Sequence, residues 1–272
     1  MYHTTTNGIP TQVLLLPATA PAQRHVLFFP GDVQMRRAEM EADLRGGTFE
    51  WKQFSLDDSL PALQARFGAD AHVWCLRPAR MVYQFAAYQQ FARVTILGAA
   101  SEYNGYAGRA GTGITSTFDA AAALAIAAGC IPATDAALPL VLLGFSKGVV
   151  PLVQLIAELG AADASALALL ARCSELHLVD GGSGTERGAY PAASWSEALD
   201  ALSAQAARGL RIAVHSTPYM LASVKQPWLA PECAAFVGAL EARGVKVDVS
   251  DYFMREKPSL ERHFGVLAEL RC

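Results

Sequence analysis

The sequence predicts an α/β fold, with a mostly parallel twisted sheet and helices on both of its faces. Three observations lead to this prediction. From residue 72 onward, short apolar runs of strand length alternate with longer helical patterns, the order that builds parallel sheets. The run at 140–143 is wholly apolar, as in a strand buried on both faces. Apolar residues make up 52% of the chain and charged residues 17%, so we expect a large core in one domain, 1–272.

The elements before the run at 140–143 are bounded by Pro and Gly residues, which interrupt regular structure. Two apolar strands at 11–16 and 25–29 are joined by an Ala/Pro loop, and a third lies at 72–76. Helical patterns at 35–44, which a pair of glycines ends, and at 58–67 fill the interval between the second and third strands.

The segment 79–112 interrupts the alternation and is predicted to be an irregular, lid-like insertion. It is rich in aromatic residues and Gln at 83–91 and then in Gly. Long irregular insertions in α/β proteins are commonly lids or binding loops. A second interpretation stays open, in which the aromatic residues simply pack as a satellite helix.

After the insertion, strands and helices alternate to the end of the chain. Apolar runs bounded by turn residues give the strands, and 3.6-residue periodicity gives the helices. The predicted strands are 140–143, 176–180, 210–214 and 245–249. The predicted helices are 114–128, 147–159, 164–172, 195–207, 231–243 and 259–270, the last with Ser259 as a candidate N-cap.

A G-x-S-x-G pattern, Gly144 to Gly148, directly follows the strand at 140–143, and an apolar helical run comes next. A strand, a sharp turn and a helix are the context in which this pattern forms the nucleophile elbow of an α/β-hydrolase. Crowding of the turn explains the glycines two residues before and after the serine. Ser146 is therefore the candidate nucleophile, although a glycine-flanked turn in another α/β protein has the same local pattern.

A serine nucleophile needs a base with a pKa near 7, most often histidine. In this fold the base follows the last strand. His263 is the only histidine beyond the last predicted strand and is the candidate base, although a histidine on a terminal helix can also be structural. His215 is the alternative, and His72 and His177 lie inside strands and are interpreted as structural.

The base in turn needs an acid that orients it, usually placed after the strand that precedes the last one. Here that turn, 215–218, contains no carboxylate. The candidate acid is therefore Asp180, at the end of the strand before it and followed by two glycines. Asp251 and Glu232 are alternatives, and Asp180 could also be a turn residue.

The expected oxyanion hole has two backbone N–H donors, one from Lys147 and one from Asp32, with Gly31 allowing close approach. A carboxylate at position 32 would oppose a developing negative charge unless Lys147 or Arg80 neutralises it. Arg80, Tyr83 and His215 are further candidates for the pocket lining.

Composition and motifs exclude several other functions. The net charge is −3 and basic residues do not cluster, so no nucleic-acid partner is expected. The five cysteines are scattered and form no C-x-x-C, which favours a reducing compartment and argues against zinc. The glycine-rich 108–113 lacks the lysine and preceding strand of a phosphate loop, no dinucleotide motif follows the first strands, and no cofactor or metal is expected.

The ends of the chain and its apolar runs predict location. Residues 1–10 carry neither a secretory signal nor a transit pattern, and no apolar run is long enough to cross a membrane. We therefore expect a cytoplasmic protein without a transmembrane segment. The sequence gives no indication of its oligomeric state.

Several stretches, read together, carry a resemblance to a known family. They are 25–34, 72–74, 77–81, 143–148, 179–182, 215–219 and 258–264. In them the chain resembles serine-hydrolase-like proteins that are named in animals for an open reading frame on chromosome two. The resemblance implies an α/β-hydrolase fold, with Ser146, Asp180 and His263 at the positions of a catalytic triad. It also implies a mitochondrial location as the alternative to a cytoplasmic one.

Two functions are compatible with these residues. The first is a serine hydrolase that cleaves an ester, thioester or amide through an acyl-enzyme, with a small-molecule or lipid-like acyl substrate. The aromatic residues at 83–91 would favour an apolar acyl group. The second is a non-catalytic binding or scaffold protein on the same fold, which the absence of an acid after the penultimate strand and the presence of Asp32 support.

Overall fold

The computed structural model describes residues 1–43, 47–103, 108–184 and 186–272. Its strands are β1 Tyr2–Thr6, β2 Ile9–Leu16, β3 Arg24–Phe29, β4 Ala71–Leu76, β5 Arg80–Val82, β6 Phe85–Ala87, β7 Arg93–Val94, β8 Ala100–Glu102, β9 Leu140–Phe145, β10 Cys173–Val179, β11 Arg211–Ser216 and β12 Val247–Asp251.

Helices lie between most of these strands. They are α1 Arg37–Ala42, α2 Leu56–Phe67, α3 Arg109–Ala127, α4 Val150–Gly160, α5 Ala164–Ala171, α6 Ser196–Ala206, α7 Pro218–Leu221, α8 Leu229–Glu241 and α9 Leu260–Glu269. Short 3₁₀ helices occupy Phe49–Phe54, Ala133–Ala137 and Ser146–Val149.

The main sheet has eight strands in the order β1-β2-β4-β3-β9-β10-β11-β12. The six strands from β4 to β12 pair in parallel, and β1 and β2 extend the sheet antiparallel at one edge. Phe29 pairs with Gly144 and Val179 pairs with Phe145, so β3, β9 and β10 end level with one another. The predicted α/β class with a mostly parallel sheet is confirmed.

Two apolar cores cover the two faces of this sheet. One contains buried side chains of α3, α4, α5, α6 and α8, and the other contains those of α2 and α9 with Met40 of α1. Strand β9 lies in the middle of the sheet and is buried along its whole length, which explains its continuous apolar sequence. The helices therefore lie on both faces, as predicted.

Outside the insertion, the predicted strands and α-helices match the structure within about five residues, with three differences. The polar residues at 2–6 form edge strand β1. Because the side chains of this strand are mostly polar, its sequence lacks the alternation of apolar and polar residues that indicates a strand. The helix predicted at 35–44 spans only Arg37–Ala42, and 44–46 lie outside the described residues. The short helix α7, with Thr217 as its N-cap, was not predicted because four residues give no periodicity.

The described part of the insertion predicted at 79–112 forms two hairpins, β5–β6 and β7–β8, before α3 begins at Arg109, and 104–107 lie outside the described residues. Tyr88 and Phe91 are fully buried and pack edge-on against Phe29. The satellite-helix interpretation is wrong, since these rings join the main core from the connection between the two hairpins. They therefore do not supply the apolar acyl pocket that the sequence suggested.

A buried chain of hydrogen bonds crosses strands β10, β11 and β12. Glu175 contacts His177 Nε2 at 2.8 Å, His177 Nδ1 contacts His215 Nε2 at 3.0 Å, and His215 Nδ1 contacts the Tyr252 hydroxyl at 2.9 Å. Because the carboxylate only accepts, His177 donates to Glu175, His215 donates to His177, and Tyr252 donates to His215. Both imidazoles thus have both ring nitrogens occupied, and both histidines are structural.

We expect His215 to make the stability of the fold depend on pH. Burial lowers the pKa of His215 from 6.5 to about 3, and His177 and Arg211 act in the same direction. The stabilisation from the neutral imidazole is complete above pH 6.5 and is lost as the pH falls towards 3. The free energy of unfolding, measured with urea, should fall by about 3 kcal/mol between pH 7 and pH 4.

His215→Gln and His3→Gln provide the comparison. Glutamine can keep an N–H donor near the position of Nε2 but cannot gain a proton, so the loss of stability between pH 7 and pH 4 should be smaller. His3 is exposed, and His3→Gln should keep the wild-type pH dependence. An unchanged pH dependence in His215→Gln would contradict the assignment.

Among the helices of the described ranges, none is by itself long and apolar enough to cross a membrane. One bent pair of helices, Ser146–Gly160 with Ala164–Ala171, is long and apolar enough only when the two are taken together, by length and composition alone.

Candidate active site

Ser146 lies in the sharp turn between β9 and the helix that follows. Its φ is +53°, a left-handed conformation that is rare for serine and typical of strained functional turns. Only glycine fits at positions 144 and 148 without a steric clash. A Cβ at Gly144 would lie 2.6 Å from Gly148 O, and one at Gly148 would lie 1.9 Å from Phe29 O. The turn therefore has the geometry expected of a nucleophile elbow.

Asp180 follows β10 and is 1% exposed. Its φ is +46°, so the chain turns sharply here as it does at Ser146. Asp180 Oδ1 accepts from the Thr217 N–H at 2.8 Å, and Oδ2 accepts from the Thr217 hydroxyl at 2.7 Å. These donors fix the carboxylate while leaving Oδ2 able to accept a further hydrogen bond.

That further hydrogen bond comes from His263, whose Nδ1 lies 2.5 Å from Asp180 Oδ2. Ser259 caps the N-terminus of α9 by accepting from Arg262 N, which places His263 in the first turns of the helix. Because a carboxylate accepts, Nδ1 is the donor and Nε2 retains a lone pair. The imidazole is thus held in the tautomer that a general base requires.

Two aromatic rings pack against the His263 imidazole and fix its orientation. The ring centroids of Phe145 and Tyr219 lie 4.6 and 4.5 Å from that of His263. Phe145 directly precedes Ser146, and His263 is 4% exposed. The imidazole therefore packs against the elbow and has little freedom to rotate.

A single small pocket of about 80 Å³ is lined by Ser146, Asp180 and His263 together. The other residues of its lining are Asp32, Lys147, Gly181, Gly182, Gly184, Tyr219, Met220, Gln226 and Leu229. The structure thus brings the candidate nucleophile, base and acid to one place, at the carboxyl ends of the parallel strands, where ligands bind in open α/β sheets.

The loop after β3 lies directly against the elbow. A Cβ at Gly31 would be 2.6 Å from Ser146 Cβ, so only glycine fits there. Gln34 Oε1 accepts from the Gly31 N–H at 2.9 Å, and the Tyr88 hydroxyl donates to Pro30 O at 2.6 Å. The Gly31 N–H is therefore already bonded, and Gly31 contributes space, not a donor.

Two backbone N–H groups beside the pocket remain available. Asp32 N has no acceptor among the described residues. Lys147 is the second residue of the 3₁₀ turn, where N–H groups have no partner within the helix. Both residues line the pocket, as an oxyanion hole would require.

The Lys147 ammonium neutralises the Asp32 carboxylate. Lys147 is 2% exposed, and its Nζ lies 3.0 Å from Asp32 Oδ1 and donates to Leu97 O at 3.0 Å. Asp32 Oδ1 also accepts from Ala86 N at 2.7 Å. Burial raises the pKa of the Asp32 carboxyl, while Lys147 acts to lower it. The pair ties both β hairpins of the insertion to the elbow.

Three predicted pocket residues lie elsewhere. His215 is buried in the hydrogen-bonded chain described above, with both ring nitrogens occupied. Arg80 is exposed at the start of β5, and Tyr83, at the tip of the β5–β6 hairpin, is 78% exposed. None of them is in the pocket lining, because His215 is held inside the sheet and the other two are exposed on the β5–β6 hairpin.

The alternative acids also lie apart from His263. Asp251 is exposed at the end of β12. Glu232, on α8, accepts hydrogen bonds from the backbone N–H groups of Gly188 and Ala189. Within the described ranges, no group of three or more His, Cys, Asp or Glu side chains is arranged to hold a metal ion.

Sequence reasoning missed the residues that position the site. Thr217 holds Asp180, Gln34 holds Gly31, and Tyr219 packs on His263. Gln34, Thr217 and Tyr219 all fall within stretches that carry the family resemblance, which was the one available signal. Their roles depend on partners distant in the chain, and periodicity does not report such partners.

Comparison with known proteins gives a family and a fold. A family model described as C2orf69 matches residues 10–125 and 112–246. The protein named "Mitochondrial protein C2orf69 homolog" of Danio rerio is 31% identical, over 94% of this chain and 80% of that protein. The Homo sapiens protein named "Mitochondrial protein C2orf69" is 25% identical, over 90% of this chain and 74% of that protein.

Among solved structures, that of Zea mays acyl-protein thioesterase 2 is similar, with a TM-score of 0.51 and 14% sequence identity. The match covers 95% of this chain and 96% of that one. At this level of identity the likeness shows a shared α/β-hydrolase fold and carries no information about the reaction.

Proposed function

The chain belongs to the C2orf69 family, and we propose that it is a serine hydrolase that cleaves an ester, thioester or amide through an acyl-enzyme. The observation that carries the proposal is the 2.5 Å contact between His263 Nδ1 and Asp180, in a pocket that Ser146 also lines. A buried histidine with a fixed tautomer beside a strained serine is the arrangement that nucleophilic catalysis requires.

In the proposed reaction, Ser146 Oγ attacks the substrate carbonyl while His263 Nε2 takes the hydroxyl proton. Asp180 accepts the Nδ1 hydrogen bond and stabilises the imidazolium that forms. The backbone N–H groups of Lys147 and Asp32 bind the oxyanion. His263 then gives its proton to the leaving group, and a water molecule attacks the acyl-serine by the reverse sequence of proton transfers.

Lys147 gives the proposal further support. A free carboxylate at Asp32 would repel a negative charge that develops on the carbonyl oxygen. The Lys147 Nζ, 3.0 Å from Asp32 Oδ1, compensates that charge, while the Lys147 backbone N–H remains free to face the substrate. We propose that the pair permits an oxyanion hole to include an aspartate.

A non-catalytic binding role is the second candidate, and one observation favours it. Asp32 lines the pocket and is 26% exposed, so its carboxylate stands where most hydrolases of this kind would place no charge. In that role the same pocket would hold a ligand without cleaving it.

Labelling with a fluorophosphonate probe distinguishes the two functions, because the probe reacts only with an activated serine. We expect wild-type protein to be labelled on the peptide that contains Ser146, and Ser146→Ala to be unlabelled. Ser194→Ala, at an exposed serine outside the pocket, should be labelled like wild type. Absence of label from wild type, or equal label on Ser146→Ala, would support the binding role.

We also propose that residues 1–272 act as one domain, since the central sheet takes strands from both ends of the chain. The names of the relatives, which call them mitochondrial proteins, favour the mitochondrial alternative over the cytoplasmic location.

A further inference from the structure

The pocket at Ser146 is too small for a whole substrate. Its volume is about 80 Å³, well below the about 300–1,000 Å³ of sites that hold whole small molecules. The pocket therefore has room for the reacting carbonyl group and the atoms next to it. If the chain is the hydrolase proposed above, the rest of its substrate must lie outside this pocket.

A second cavity of about 320 Å³, here called the aromatic cavity, lies between three parts of the chain. These are the insertion, the segment before α6, and α8. The lining of the cavity includes Tyr103, Tyr190, Trp195, Ala192 and Glu232. The volume falls in the range of small-molecule sites, about 300–1,000 Å³. The rings of Tyr103 and Trp195 meet edge to face, with centroids 5.6 Å apart.

The aromatic cavity and the pocket at Ser146 share a wall. Gly181, which lines the pocket, donates its N–H to the Tyr190 hydroxyl at 3.2 Å. A Cβ on Gly181 would lie only 3.1 Å from Tyr190 Cζ. Leu229 lines the pocket, and Glu232, one turn further along α8, lines the aromatic cavity. The two cavities therefore lie on either side of this wall, and a substrate chain would pass over its rim to reach the aromatic cavity.

Three polar side chains that line the aromatic cavity are already hydrogen bonded, whereas Ser101 and Arg187, which also line it, are exposed to solvent. The Tyr103 hydroxyl donates to Gly188 O at 2.5 Å, and the Tyr190 hydroxyl accepts from Gly181. The Glu232 carboxylate accepts from two backbone N–H groups and lies 3.9 Å from Arg187. What these side chains offer to a ligand is chiefly ring and methyl surface, which favours an uncharged apolar group.

We propose that the aromatic cavity binds the uncharged apolar chain or ring of the substrate whose carbonyl reacts at Ser146. The inference rests on the proposed hydrolase function and assigns to it a substrate class, an ester, thioester or amide with a sizeable apolar substituent. The apolar surface comes from Trp195, Ala192 and the ring edge of Tyr103 and not from residues 83–91, where the sequence placed it.

Ala192→Trp tests the proposal, with Ala193→Trp as the matched control. Both alanines are exposed, so neither substitution disturbs the core, and only Ala192 lines the aromatic cavity. Three uncharged esters are compared by proton release: ethyl acetate, ethyl octanoate, which has a long acyl chain, and octyl acetate, which has a long alcohol chain.

We expect wild type to prefer one of the two long esters to ethyl acetate, and that ester identifies whether the acyl or the alcohol part enters the cavity. Ala192→Trp should reduce the kcat/KM ratio of that ester to ethyl acetate about tenfold or more. Ala193→Trp should leave the ratio as in wild type. No preference for a long ester in wild type, or the same ratio in Ala192→Trp and wild type, would overturn the proposal.

A binding measurement tests the role of the aromatic cavity independently of the hydrolase proposal. Titration calorimetry of octyl acetate and ethyl octanoate with Ser146→Ala needs no catalysis. Weaker binding when Ala192→Trp is added, but not Ala193→Trp, would support the cavity even if wild type hydrolysed no ester. Equal affinities in all three proteins, with esters hydrolysed by wild type, would reject the cavity and leave the hydrolase proposal standing.

Discussion

Asp180→Asn is expected to lower kcat about 10⁴-fold for the ester that wild type hydrolyses best, with little change in stability. Asparagine has the shape of aspartate and can still accept from the Thr217 N–H through Oδ1. Its amide group, however, would donate towards His263 Nδ1 and so favour the tautomer with hydrogen on Nε2. That tautomer cannot take the proton of Ser146, and the charge that stabilises the imidazolium is also lost.

Asp251→Asn is the matched control, because it makes the same change at an exposed position at the end of β12. It should leave kcat and the melting temperature as in wild type, and this result would exclude the alternative acid named from the sequence. A kcat for Asp180→Asn within about tenfold of wild type would contradict the role assigned to Asp180, since loss of the orienting acid has a much larger effect in serine hydrolases.

Gly148→Ala is expected to destabilise the fold by about 3 kcal/mol or more, or to prevent folding. The added Cβ would lie 1.9 Å from Phe29 O and 2.9 Å from Pro30 O. These are backbone atoms at the end of β3, so no side-chain rotation relieves the clash. The helix after Ser146 must instead move away from the loop that carries Asp32, which would also separate the two proposed oxyanion donors.

The melting temperature measures this effect, and a drop of roughly 10 °C is expected for a protein of this size. Gly238→Ala is the control. Gly238 lies within α8, where an added Cβ would meet no atom within 4 Å, and alanine is the better helix former by about 1 kcal/mol. Gly238→Ala should therefore melt at or above the wild-type temperature. Gly148→Ala with the melting temperature of wild type would show that the turn has more space than the structure gives it.

Much of the fold could be predicted because its signals are local. The continuous apolar sequence of β9, 140–145, reflects burial on both faces of a central strand, and the helices on either side carry regular periodicity. The edge strand at 2–6 and the hairpins at 80–102 escaped prediction, since short or half-exposed strands lack a run long enough to separate them from loops.

Only some residues of the candidate site could be predicted. Ser146, Asp180 and His263 could be named because each follows a strand in the order that an α/β-hydrolase uses, and the structure brings them to one pocket. His215 was named because it ends the strand before the last one, Arg80 because its charge could neutralise Asp32, and Tyr83 because it lies in the aromatic segment. In the structure Arg80 and Tyr83 are exposed on the β5–β6 hairpin, and His215 is buried in the core.

The sequence by itself determined the alternation of strands and helices, the sharp turn at Ser146 and the set of carboxylates that could serve as the acid. Only the tertiary structure decided which carboxylate meets His263, 83 positions away in the chain, that Lys147 compensates Asp32, and that the aromatic cavity adjoins the small pocket. The physical reason is the distance along the chain over which each signal acts. Apolar periodicity is a local signal that indicates whether each residue is buried. The pairing of polar groups far apart in the chain depends instead on strand order and register.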